Sequence, residues 1–217
     1  NPKTNPVDRT ALSVAFTVGL YGAAFGAAGV TAGFSILQTC LLSLLLFSGA
    51  SQFAVVGIMG AGGSAISAIA TATLLGFRNA LYGIQMAPIL KVKGLKRILS
   101  AQITIDESTA VSTLQENDSD RRRGFYITGI GVYVFWNLFT YLGALGASAI
   151  GDPAAWGLDA AVPAAFCGLV WPRIKKKREF LITAAAIALA LLLTPIAPAG
   201  VPIITTVLLA VIFGWKK

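Results

Sequence analysis

Long apolar stretches separated by short basic clusters constrain this chain more than any other feature. They run over 10–34, 36–60, 64–90, 124–150, 153–172, 179–196 and 199–215. A helix needs ~20 mostly apolar residues to cross a bilayer, and a spanning β-barrel would show short segments of alternating polarity instead. Charged residues are 12% of the 217 positions and apolar residues 56%. A soluble domain carries roughly 25% charged residues, so the water-facing surface of a globule is missing. Soluble enzymes, disordered tails, disulfide scaffolds and nucleic-acid modules are excluded on that ground. The expectation is an all-α, polytopic helical membrane protein, one transmembrane domain over residues 1–217, with about seven membrane-spanning helices.

The net charge of +8 is gathered at Lys91, Lys93, Lys96 and Arg97, at Arg121–Arg123, at Arg173 and Lys175–Arg178, and at Lys216 and Lys217. Short basic loops between apolar runs mark the cytoplasmic side of a membrane, not a nucleic-acid surface. Trp171 and Trp215, each beside a basic cluster, fit the interface on that side. The segment 98–115 is less apolar and holds Asp106 and Glu107. If it crossed, the clusters at 91–97 and 121–123 would lie on opposite sides. A segment that enters and leaves on one side keeps both inside, together with the later clusters and the C-terminus. If the first three runs all cross, the N-terminus lies outside. The run at 10–34 is too long for a signal-peptide core and reads as a retained first helix. It carries Gly19, Gly22, Gly26, Gly29 and Gly33 on one face, a spacing that admits close helix packing. L-Y-G occurs at both 20–22 and 81–83, a three-residue hint of a duplicated half.

Polar residues inside apolar runs are costly and need a reason. In the second run, Ser48, Gly49, Ser51, Gln52 and Phe53 form a small, polar interruption. It fits either an unwound break whose backbone binds a substrate or ion, or serines bonded back to the preceding turn of an intact helix. Arg78 lies near the middle of the third run, where an arginine costs ~2.5–3.5 kcal/mol on insertion scales. Tyr82 and Gln85 continue its face, with Asn79 adjacent. Gln102, Asp106, Thr109 and Thr113 make a second stripe at helical spacing. The economical arrangement turns the two stripes toward each other, with Arg78 near Asp106 or Glu107. Asp159 begins a proline-containing segment bounded by Pro163 and Pro172, where a carboxylate is also a good helix cap. Cys40 and Cys167 read as small packing residues. The chain has no histidine, so a Ser-His dyad, a histidine metal or haem site and a histidine proton relay are all excluded. No metal, no cofactor and no enzymatic activity are expected.

F-S-G-A-S-Q-F at 47–53, F-R-N-A-L-Y-G at 77–83, I-D-E-S at 105–108 and G-L-D-A-A-V-P-A-A-F at 157–166 occur in this order. Together the chain resembles the AzlC family, the larger subunit of bacterial branched-chain amino acid exporters, over essentially its whole length. The resemblance implies a secondary transporter of the bacterial plasma (inner) membrane that exports branched-chain or related apolar amino acids. It also implies a small AzlD-type membrane subunit as partner. Many members carry His after the arginine where this chain has Asn79, which leaves Asp106, Glu107 and Asp159 as proton carriers. Such a substrate needs a cation for its carboxylate, acceptors for its ammonium and an apolar pocket. Arg78 fits the first, Asp106, Glu107 or carbonyls near Gly49 the second, and Phe47, Phe53 and Phe166 the third. A channel and the membrane subunit of an ATP-driven transporter are the alternatives. The first lacks a filter or acidic ring, and the second lacks a cytoplasmic coupling helix.

Overall fold

The computed structural model describes residues 5–150, 164, 167–168, 170–171 and 174–215. The expected sites Asp159 and Phe166 lie outside the described residues, as do Pro163 and Pro172. Every regular element among the described residues is helical: α1 (Pro6–Thr31), α2 (Ile36–Leu45), α3 (Gly49–Gly60), α4 (Ala65–Leu90), α5 (Leu95–Gln102), α6 (Asp106–Thr113), α7 (Asp118–Ala149), α8 (Lys177–Leu193) and α9 (Val201–Trp215). Their ends are written in local chemistry. Asn5 accepts the Val7 amide ahead of Pro6, and Ser35 and Gln38 cap α2 reciprocally. Ser64 and Asn117 cap α4 and α7 through the Ser67 and Asp120 amides. Gly33 and Gly62 adopt φ of +89° and +74° just past α1 and α3, the left-handed turn that glycine makes cheaply.

α1 and α7 form the spine and run parallel. Asp8 and Arg123 pair at one end, at 2.5 and 2.7 Å. Further along, Gly19 lies on Phe135, Gly22 on Trp136 and Gly26 on Thr140, while Gly143 receives Ala23. A methyl group at Gly22 or Gly26 would run into the carbonyls of Trp136 and Thr140, so this glycine face is what permits the contact. Gly29 instead packs on Thr39 of α2. Gly26→Val is therefore expected to force the spine apart and cost about 1–3 kcal/mol or more. Thermal unfolding in detergent reads this as a midpoint lowered by several degrees.

The second apolar run does not cross. It was expected as one spanning helix; it is a hairpin of α2 and α3. Along α2 the neighbours are Gly29 at Thr39, Thr140 at Ser43 and Tyr133 at Leu44. Along α3 they are Trp136 at Gly49, Phe25 at Phe53 and Ala32 at Gly60. The chain thus descends from the Thr31 end of α1 to mid-height and returns to the same end. α4 then runs the full length, bringing Ile89 to Arg122 at the opposite end through a 2.8 Å hydrogen bond. The segment 98–115 makes a second hairpin, as the charge pattern predicts, but from that opposite end. Ser100 meets Tyr126, Ile103 meets Gly129, Val111 meets Gly124 and Gln115 meets Arg121, so the chain rises along α7 and falls again. Because the second run turns back, the beginning of α1 shares an end with Lys91–Arg97 and Arg121–Arg123. The condition under which the N-terminus would lie opposite the basic loops, that the first three runs all cross, is not met.

α8 and α9 pair antiparallel at the side. Arg178 bonds the Phe213 carbonyl, and Gly200 sits against Ser67 near the start of α4. Large apolar side chains cover the outer faces of the long helices, among them Phe16, Ile66, Ile84 and Leu138. α1 and α7 are long and apolar enough to cross a bilayer by length and composition. Exposed apolar surface on that scale belongs against lipid. Of the seven spans expected from the sequence, 36–60 turns back and most of 153–172 lies outside the described residues.

Candidate substrate site

The two hairpins meet tip to tip at mid-height, and the tips are where helix is interrupted. At the first, Leu46 and Ser48 leave the helical region, with φ/ψ of −99°/74° and −153°/104°. A break strands carbonyls that lipid cannot satisfy. Gln52 answers this: its amide donates to the Ser43 and Leu46 carbonyls at 3.3 and 2.7 Å and accepts the Trp136 indole N–H at 2.9 Å. Ser51 donates to the Ser48 hydroxyl and to the Ala72 carbonyl, tying α3 to α4. Both reach 0% exposure. The interruption seen in the sequence is therefore a true break, and no side chain caps the amides that open α3.

At the second tip, Ile105 is extended and Ser108 caps the turn. Its hydroxyl accepts the Ile105 amide and donates to the Ile103 carbonyl at 2.8 Å. The break also splits the expected polar stripe. Gln102 belongs to α5 and reaches across to the Leu44 and Leu45 carbonyls, at 2.9 and 3.4 Å. Asp106 opens α6, and Thr113 bonds back to Thr109.

Between the tips lies a cavity of about 290 Å³, near the lower limit of small-molecule sites (~300 Å³). Arg78 reaches it from the middle of α4 and pairs with Asp106 at 3.0 Å, as the facing stripes predict. The pair is partly open, with 34% and 21% of the two side chains exposed. Arg78 Nε and Asn79 Oδ1 are buried without a hydrogen-bond partner among the described residues. Glu107 joins Asp106 in the wall, and Ser48, Gly49 and Ala50 present the start of α3. The remainder is apolar or aromatic: Phe47 and Phe53 from the first tip, Tyr21 from α1, Val132 and Trp136 from α7. Phe53 and Phe25 meet edge to face at 5.5 Å, and Phe25 stacks on Trp136 at 6.4 Å, which holds the apolar wall rigid.

Of the residues singled out in the sequence, Ser48, Gly49, Phe53, Arg78, Asn79, Asp106 and Glu107 line the cavity. Ser51, Gln52 and Tyr82 do not. The first two spend their polar atoms on holding the break, a positioning duty, and Tyr82 lies a turn beyond Arg78 on α4. Trp136 and Tyr21 are lining residues that the sequence reading passed over. The signal for Trp136 was present: a tryptophan far from either end of an apolar run has no interfacial role there. Gly49 shows why α3 begins where it does, since a methyl group on it would come within 3.1 Å of the Trp136 ring.

A polar pair sunk in an apolar helical bundle, between two hairpins with broken tips, defines a membrane protein with a small internal site. Comparison with known proteins gives the particular family. Residues 13–150 match the family described as AzlC protein, and the chain belongs to that family. An uncharacterized membrane protein of Archaeoglobus fulgidus is 32% identical over 199 residues, covering 90% of this chain and 84% of its own length. Inner membrane protein YgaZ of Escherichia coli is 29% identical over 176 residues, covering 76% and 70%. A further uncharacterized membrane protein, from Haemophilus influenzae, is 26% identical over 67% of this chain and 64% of its own. No solved structure matches.

Proposed function

We propose that this chain is a multi-pass secondary transporter of the bacterial inner membrane, exporting branched-chain or related apolar amino acids with ion coupling. The observation that carries the reading is the Arg78–Asp106 pair at 3.0 Å, placed in a small cavity whose other walls are largely apolar and aromatic. A zwitterion with an apolar side chain matches those walls group by group. Its carboxylate meets Arg78 and the uncapped amides of α3, where the helix end carries partial positive charge. Its ammonium meets Asp106 and Glu107, and its side chain lies against Phe47, Phe53 and Trp136. Asp106 neutralises Arg78 in the empty site and yields it to the incoming carboxylate. Asp106, Glu107 and Asp159 are the groups proposed to carry a coupled proton.

The basic clusters set the orientation. Lys91–Arg97, Arg121–Arg123 and the start of α8 gather at one end of the bundle, the end that also holds the beginning of α1 and the close of α9. The positive-inside bias assigns that end to the cytoplasm, and with it the start of α1 and the close of α9. A small AzlD-type subunit is the proposed partner, against the lipid-facing flank. Nothing in this reading calls for an enzyme's chemistry, a metal or a cofactor.

Inverted vesicles holding the protein, with its small partner supplied, test the reading. Labelled valine, leucine and methionine are expected to enter saturably and to respond to a pH gradient, while a charged amino acid is excluded. Entry of none of the three, or entry without saturation, overturns it.

A further inference from the structure

The two hairpins are not merely similar in shape. Each follows a helix of 26 residues, α1 or α4, and each consists of two short helices around a three-residue break. The first pair has ten and twelve residues, the second eight and eight. L-Y-G sits at 20–22 in α1 and at 81–83 in α4. The third residue after each break is a serine whose hydroxyl donates to a backbone carbonyl: Ser51 to Ala72, and Ser108 to Ile103. Yet the units point in opposite directions. α1 leaves the Asp8–Arg123 end and α4 returns to it, and the hairpins enter from opposite ends.

We propose that residues 6–60 and 65–113 are two copies of one helix-plus-hairpin unit inserted in opposite orientation, and that their tips are the two gates of the cavity. The repeat itself stands on topology alone; the gating half rests on the transport reading. Opposed repeats place a site at their interface and let one half move against the other. Here the tip at 46–48 closes the cavity toward one compartment and the tip at 103–105 toward the other. The contact between them is specific. Gln102, of the second unit, holds the last carbonyls of α2 in the first. Withdrawal of either tip breaks that contact, so it is made and broken in each cycle. The chemistry of the tips differs: one presents the amides after Ser48, the other the carboxylates of Asp106 and Glu107.

The test uses the full chain with Cys40→Ser and Cys167→Ser, carrying single replacements Ser35→Cys, Ala61→Cys, Lys93→Cys or Glu116→Cys. A membrane-impermeant maleimide is applied to right-side-out and inverted vesicles. Positions 35 and 61 are expected to label from one face, and 93 and 116 from the other. If 35 and 61, or 93 and 116, label from opposite faces, the inverted repeat is overturned; this readout needs no transport. For the gates, Leu45→Cys and Gln102→Cys are combined and oxidised. Transport is expected to fall at least about tenfold and to return on reduction, with equilibrium binding of labelled leucine retained. An unchanged rate after complete cross-linking overturns the gating half. The expected labelling pattern in a protein that moves no amino acid would sink the transport reading and leave the repeat standing.

Discussion

Replacing Arg78 with glutamine is expected to cut transport about a hundredfold while leaving the protein folded. Two opposed terms decide this. Removing an arginine from mid-bundle relieves an insertion cost of ~2.5–3.5 kcal/mol, so stability is not expected to fall. The same change removes the cation that Asp106 balances and that a substrate carboxylate requires. Truncating one member of a hydrogen-bonded charge pair at a binding surface costs about 2–5 kcal/mol, and 2.7 kcal/mol is about a hundredfold in affinity. Uptake and equilibrium binding of labelled leucine are expected to drop by about that factor, with the melting midpoint in detergent held or raised. Asp106→Asn is expected to weaken binding less, because Glu107 lines the same wall. Since Arg78 and Asp106 touch at 3.0 Å, the double variant is expected to lose less than the two single losses combined. Full additivity would mean that the pair does not act as a unit.

Gln52→Leu is expected to be the most destabilising single change at the site, and for a different reason. The amide is completely buried and joins three elements: the end of α2, the break and α7. Leucine fills similar space and offers no hydrogen bond. The Leu46 carbonyl would keep the Ser48 amide at 2.8 Å. The Ser43 carbonyl would lose its Gln52 amide donor and the Trp136 indole N–H its carbonyl acceptor, at about 1–3 kcal/mol for each group left unpaired. A large fall in melting midpoint is expected, accompanied by a change in Trp136 fluorescence as its indole loses a fixed partner. Gln52→Glu keeps an acceptor for Trp136 and loses the donor, so it should fall between. A Gln52→Leu protein that melts like the parent would mean that the break is held by other contacts.

The polar tips were legible in the sequence to different depths. Arg78 and Asp106 announce each other because an arginine at the centre of an apolar run demands a partner, and the chain offers few. Gln52 misleads for the same reason. A polar residue in a run looks like a ligand for the substrate, whereas here its partners are Ser43, Leu46 and Trp136, the last 84 residues away. Whether S-G-A-S-Q is an intact or a broken helix depends on those distant groups, so the local sequence leaves both open. Trp136 could be marked as out of place by its mid-run position, but that it lines the cavity is visible only once Gly49 is seen to approach its ring.

Composition and hydropathy by themselves determined that this is a helical protein whose outer surface meets lipid. Charge placement favoured a segment 98–115 that enters and leaves on one side, because clusters at both of its ends record which compartment they occupy, and the hairpin of α5 and α6 has that course. What only the tertiary structure decided is the course of 36–60. Its 25 residues are long enough to cross, and no charge stands at either end to say otherwise. Hydropathy reports the solvent that a side chain prefers and carries no information about direction, so a hairpin and a span of equal apolarity read alike. The turn is imposed from outside the segment, by the Thr39, Ser43 and Gly60 contacts with α1 and α7. Those contacts bring the two breaks face to face around one pocket.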